Sequence, residues 1–118
     1  MTRRVLVVDD HADIRSALQR LLAHLGYDVE TAADGNQALA IHRSHPVAVV
    51  ITDIFMPGKE GMETIQAFKS EWPGVRVIAM SGGGDVARGS YLDAARQVGA
   101  DAVLRKPFSL ESLQGALA

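Results

Sequence analysis

Four stretches of this 118-residue chain carry an apolar run into a residue able to handle phosphate or a metal ion. Val5 to Val8 runs into Asp9-Asp10, Val47 to Ile51 runs through Thr52 into Asp53, Val75 to Met80 meets Ser81, and Ala102 to Leu104 leads to Lys106-Pro107. Singly, each has an ordinary explanation, since aspartate and serine cap helices, a lysine is solvated, and a proline ends a strand. Together they suit one chemistry. A carboxylate at the end of a buried strand is costly unless it is paired. If the three aspartates converge, two of them about 4 Å apart repel by roughly 4 kcal/mol at an effective dielectric near 20, so the cluster takes up a proton or a cation. Oxygen ligands without cysteine or clustered histidine favour Mg²⁺ or Mn²⁺ over zinc. Beside a lysine and a hydroxyl, such a cup fits a phosphoryl group, with one carboxylate available as nucleophile to give an aspartyl phosphate.

Positioning these residues requires an alternation of elements. The four apolar runs, with the weaker alternating Tyr27 to Ala32, read as five strands. Between them apolar residues recur at helical spacing: Ile14, Leu18, Leu21, Leu22 and Leu25; Ala38, Leu39 and Ile41; Met62, Ile65 and Phe68; Tyr91, Leu92, Ala95 and Val98; and finally Leu110, Leu113 and Leu117. Gly26 and Gly99 stand where helix-ending glycines belong, Asp34 with Gln37 forms a capping pair, Ser109 caps the last helix, and Pro46 and Pro73 follow helix ends. Five strands alternating with five helices predict an α/β fold, a mainly parallel sheet covered on both faces. Ligands in such sheets bind beyond the carboxyl ends of the strands, which is where the four polar sites fall.

The chain has the size of one domain, and no linker, repeat or low-complexity tract divides residues 1–118. Its 12 Lys and Arg against 14 Asp and Glu leave a net charge of -2, which gives no footprint for direct nucleic-acid or membrane binding. There is no cysteine, which excludes disulfides and thiolate metal sites and fits a reducing compartment. The opening MTRRVLVVDD has too short an apolar run for a signal peptide, and nothing approaches a membrane span, so a cytoplasmic location is expected.

VLVVDD, VVITDIFMPGKEGME, VIAMSGGGD and GADAVLRKPF, in that order, resemble the receiver domain of two-component response regulators over essentially the whole chain. The resemblance implies the flavodoxin-like, doubly wound strand order 2-1-3-4-5, for which the chemotaxis receiver is a standard case. It implies that Asp53 is the phosphoacceptor and that Mg²⁺ is bound by Asp10 and Asp53 directly, by Asp9 chiefly through water, and by the backbone carbonyl of Phe55. Ser81 becomes the switch hydroxyl, Lys106 the phosphoryl partner, and the Lys106-Pro107 bond is expected to be cis. The implied donor is a phosphohistidine of a sensor histidine kinase or phosphotransfer protein. The implied output is a shift of the β4-α4 region and the α4-β5 surface, read by a downstream protein or effector domain. A receiver catalyses its own phosphorylation and dephosphorylation without being a turnover enzyme on external substrates.

The chain departs from the family pattern at two places. Val103 stands where a Tyr or Phe usually follows the switch hydroxyl, so the usual aromatic switch cannot operate; the valine itself reads as an edge-strand residue. Gly82, Gly83 and Gly84 follow Ser81, and the segment to Gly99 is about three residues longer than usual, which predicts a mobile loop and a late-starting fourth helix. These departures permit an alternative, a degenerate receiver serving as a phosphorylation-independent interaction module, but such a scaffold has no need of Asp9, Asp10, Asp53, Ser81 and Lys106. A flavodoxin fails because DDHAD stands where its hydroxyl-rich phosphate loop belongs, and an aspartate-nucleophile phosphatase fails at Phe55, where a second aspartate is required. His11, His24, His42 and His45 are scattered, and only His11 borders the acidic cup. Trp72 is expected to pack at the end of helix three, and Leu110, Leu113 and Leu117 to be core contacts.

Overall fold

The computed structural model describes residues 3–54, 61–82 and 93–118. Strands β1 (Arg4–Val8), β2 (Asp28–Ala32), β3 (Val49–Asp53), β4 (Arg76–Gly82) and β5 (Ala102–Lys106) alternate with helices α1 (Ala12–His24), α2 (Gly35–Ser44), α3 (Gly61–Glu71), α4, described over 93–97, and α5 (Leu110–Leu117). All four strand pairings are parallel, in the order β2-β1-β3-β4-β5. The doubly wound flavodoxin-like fold expected from the sequence is therefore the observed one.

Alternate strand residues serve opposite faces of the sheet. Leu6, Val8, Val50, Val77 and Ala79 pack with Ala38 and Leu39 of α2, Ile65 and Phe68 of α3, and Ala95 of α4. Val5, Val7, Val49, Ile51, Ile78 and Met80 pack with Leu18 and Leu22 of α1 and Leu113 and Leu117 of α5. Each of these strand residues is fully buried, which is why the central strands read as continuous apolar runs. Edge strand β2 alternates between exposed and partly buried positions and gave the weaker signal. Val103 lies on the opposite edge strand, half-buried against the α2-α3 side. Leu110 departs from expectation: at the very first position of α5 it is 45% exposed, whereas Leu113 and Leu117, farther along over the sheet, are buried.

The punctuation behaves as read. Gly26 and Gly99 adopt φ of +96° and +122°, where a side chain is strained. Asp34 accepts from Gln37 N at 2.8 Å while the Gln37 side chain accepts from Ala33 N at 2.6 Å, one residue earlier than in the usual reciprocal box. Ser109 accepts from Ser112 N at 3.0 Å. The third strand begins at Val49 instead of Val47 because the Val47 amide leaves the ladder and donates to His42 Nδ1 at 3.0 Å. The expectations for Phe55, for the loop after Gly82, and for Tyr91, Leu92 and the start of helix four lie outside the described residues.

Two polar tethers escaped the sequence reading. Lys69 Nζ donates to Pro73 O, Val75 O and Asp101 Oδ2 at 3.0, 2.8 and 2.9 Å, and Asp101 Oδ2 also accepts from Val77 N at 2.8 Å. Desolvation opposes ionisation of Asp101, but these hydrogen bonds and the two nearby cations outweigh it and hold its pKa below the usual value. The other tether is His42, buried on α2 with its ring edge-on to Phe68 and 4.3 Å from that of Trp72, centroid to centroid. Trp72 thus packs where expected, just past α3, and a histidine that read as scattered is part of the core. Because an amide donates to Nδ1, the ring carries its single proton on Nε2.

Burial holds the His42 pKa below its ordinary 6.5. A depressed histidine pKa means that the unfolded chain takes up the proton first, so this stability is present above about pH 6.5 and is lost as pH falls through and below it. The melting temperature is expected to drop between about pH 7 and about pH 5, with a shallower drop in His42→Asn, which keeps an acceptor for Val47 N and does not titrate. Equal slopes by calorimetry would contradict this.

Where α3 begins, Gly61 N donates to Ile54 O at 3.1 Å. A Cβ at Gly61 would collide with Asp53 O and Ile54 Cα, so the helix start rests directly on the backbone that carries Asp53. Gly61→Ala is expected to cost about 1–3 kcal/mol and several degrees of melting temperature, since backbone rather than a pliable side chain blocks the added methyl. An unchanged melt would show that the contact is slack.

Candidate functional site

The carboxyl ends of β1, β3, β4 and β5 bring the polar residues together. Asp9 follows β1, and its amide continues the ladder by donating to Ala32 O at 3.1 Å. Asp53 is the last residue of β3 and pairs in register with Met80. Ser81 is the next residue along β4, and Lys106 ends β5. A rigid sheet thus fixes four backbones whose sequence separations run to 97 residues. The side chain of Asp9 is wholly buried and that of Asp53 nearly so, and Ser81 is fully buried.

Lys106 is the link among them. Its Nζ donates to Asp9 Oδ2 at 3.1 Å and to Asp53 Oδ2 at 3.4 Å, reaching from the edge strand across to β1 and β3. The peptide bond from Lys106 to Pro107 is cis, as expected. Asp9 has further partners: the His11 amide donates to its Oδ1 at 2.9 Å, and His11 Nδ1 lies 3.1 Å from the same oxygen. Arg15 on α1 donates from its guanidinium to the Asp9 carbonyl at 2.8 Å.

Asp9, Asp10, His11 and Asp53 each offer a ligand atom such that all lie within 4.8 Å of one another. Among the described residues three carboxylates face one ammonium, a local excess of negative charge that a divalent cation would balance. Asp10 supplies the sharper test. Its Oδ1 is buried and accepts no hydrogen bond among the described residues, although the His11 ring nitrogen lies 3.2 Å away, so the acceptor is left for a ligand to satisfy. The donor set is carboxylate oxygen with one imidazole at the rim, so the residues fit a hard divalent ion.

Of the residues singled out in the sequence, Asp9, Asp10, Asp53 and Lys106 converge, and Ser81 stands at the same end of the sheet one position beyond the partner of Asp53. Phe55 lies outside the described residues. Arg105 is exposed. His11 borders the cup as expected, while the approach of its ring to both aspartates and the packing of Gly61 against Asp53 escaped sequence reasoning. DDH and the glycine of MPGKEGM are visible as letters, but only packing gives them a role.

The chain matches the response regulator receiver domain family over residues 5–118. It is 38% identical over 114 residues to the response regulator MprA of Mycolicibacterium vanbaalenii, an alignment covering 96% of this chain and 48% of that protein. The chain spans about half the length of the curated relatives it matches. Among solved structures, chemotaxis protein CheY4 of Vibrio cholerae superposes with a TM-score of 0.85 at 33% identity, covering 99% of this chain and 97% of that one. A response regulator receiver domain protein from Clostridium thermocellum gives a TM-score of 0.86 at 32% identity, over 98% and 90% of the two chains. Receiver domains bind Mg²⁺ at an acidic aspartate cluster, and response regulators receive phosphoryl groups from histidine kinases and act on downstream effectors, as signalling proteins and not turnover enzymes. No helix among the described residues is long and apolar enough to cross a membrane. With its sheet order, its acidic cluster and these matches in agreement, the chain belongs to the response regulator receiver domain family.

Proposed function

We propose that residues 1–118 form one receiver domain in which Asp53 accepts a phosphoryl group from a phosphohistidine of a sensor kinase or phosphotransfer protein. The observation that carries this reading is the bridge from Lys106 Nζ to Asp9 Oδ2 and Asp53 Oδ2. A scaffold gains nothing from buried carboxylates gathered against an ammonium at the strand ends; a phosphoacceptor needs both. Asp9, Asp10 and Asp53 would hold Mg²⁺ or Mn²⁺ with the Phe55 carbonyl, and the bound ion supplies positive charge to the phosphoryl oxygens.

In the step itself, an Asp53 carboxylate oxygen attacks phosphorus and the phosphorus–nitrogen bond of the donor breaks. The bonding pair leaves with the donor imidazole, which takes a proton. An acyl phosphate remains on Asp53, and water later attacks its phosphorus to release inorganic phosphate and restore the carboxylate. Lys106 shifts from Asp53 to a phosphoryl oxygen, and the Ser81 hydroxyl donates to another. The added charge of about -1.5 to -2 and three acceptor oxygens draw these two residues inward. The β4-α4 and α4-β5 surface then changes for a downstream partner, without a ring flip at Val103.

Incubation with acetyl phosphate and Mg²⁺ is expected to add one phosphoryl group by mass spectrometry, lost in Asp53→Ala and on chelation. Lys106→Ala, which removes the cation from the same oxygens, is expected to slow labelling by about a hundredfold or more. A phosphoryl adduct that persists in Asp53→Ala would remove Asp53 from its role.

A further inference from the structure

We propose that His11 is an additional metal ligand of the acidic cup and that its imidazole turns the site from Mg²⁺ toward a first-row transition ion. The inference rests on the reading of the cup as a cation site. His11 Nδ1 lies 3.1 Å from Asp9 Oδ1 and 3.2 Å from Asp10 Oδ1. Adjacent donors around an octahedral ion with metal–ligand distances of about 2.1 Å are separated by about 3.0 Å, so both spacings are those of neighbouring ligands on one polyhedron.

A hydrogen bond explains only half of this arrangement. A proton on Nδ1 satisfies Asp9 Oδ1, yet Asp10 Oδ1, at almost the same distance, is buried and accepts no hydrogen bond among the described residues. One cation placed among the three atoms compensates all of them. The residue is also anchored and otherwise unemployed. Its amide is fixed to Asp9 Oδ1 at 2.9 Å, while its side chain is 67% exposed and, although His11 is the N-cap of α1, makes no capping hydrogen bond. In the tautomer with its proton on Nε2, the ring presents the Nδ1 lone pair to an ion seated beside these oxygens.

Selectivity follows from ligand chemistry. Carboxylate, carbonyl and water suit Mg²⁺ and Mn²⁺ alike, whereas imidazole adds affinity for transition ions and little for Mg²⁺.

The test loads the 118-residue chain with Mn²⁺ and records pulsed electron paramagnetic resonance, alongside Mn²⁺ and Mg²⁺ affinities by calorimetry, for wild type, His11→Gln and His11→Asp. Wild type is expected to show nitrogen modulation of the manganese signal. His11→Gln is expected to lose it and to lower the ratio of Mn²⁺ to Mg²⁺ affinity by about tenfold. His11→Asp, which offers oxygen for nitrogen, should bind both ions without the nitrogen signal and lean back toward Mg²⁺. Thermal melts of the metal-free variants verify folding. Mn²⁺ bound by wild type without nitrogen modulation, or an unchanged ratio in His11→Gln, overturns the assignment of His11 and leaves the phosphoacceptor reading standing. No saturable binding of either ion to wild type overturns both.

Discussion

The site is organised by a charge imbalance that the sheet enforces. Asp9 and Asp53 are buried at the carboxyl ends of neighbouring parallel strands, Asp10 stands beside them, and among the described residues one ammonium, Lys106 Nζ, touches two of the three carboxylates. Carboxylates this close repel by several kcal/mol even at a moderate effective dielectric. Free side chains would separate, but strand ends cannot. The fold therefore stores a demand for positive charge at one place, and the chemistry proposed for Asp53 is one way of meeting it.

The surrounding structure keeps that demand from relaxing. All the core-facing residues of the three central strands are fully buried between two helical layers, so their register cannot slip without moving every side chain to the wrong face. Gly61 lets α3 start in contact with the Asp53 carbonyl, and Ile54 N extends the β3-β4 pairing to Met80 O at 3.0 Å. At the other end of the sheet Lys69 and Asp101 tie the turn after α3 to the start of β5, the strand that delivers Lys106. The tethers fix the frame, and the cup inherits its geometry from them.

Much of this was legible in the residues. Val5 to Val8 and Val75 to Met80 announced buried strands because β-branched runs of that length have no other comfortable home, and Gly26, Asp34 and Ser109 marked helix ends through backbone chemistry that is local. The convergence of Asp9, Asp10, Asp53 and Lys106 was readable once alternation implied a parallel sheet, whose carboxyl ends share one edge. What was not legible depends on contacts across the fold. His42 looked like one of several scattered histidines, and its acceptor role toward Val47 N, which also moved the start of β3, exists only in three dimensions. Leu110 had the spacing of a core residue but sits at the helix tip. His11 next to two aspartates was visible, whereas the equal approach of its ring to both carboxylates was not.

The central claim is that strand ends gather carboxylates to hold a divalent cation beside Asp53. The most direct measurement is an anomalous difference map from crystals grown with Mn²⁺. The account predicts one strong peak within about 2.2 Å of carboxylate oxygens of both Asp10 and Asp53, with Lys106 still within reach of the cup. An empty map at saturating Mn²⁺, or a peak seated away from Asp53, would contradict it.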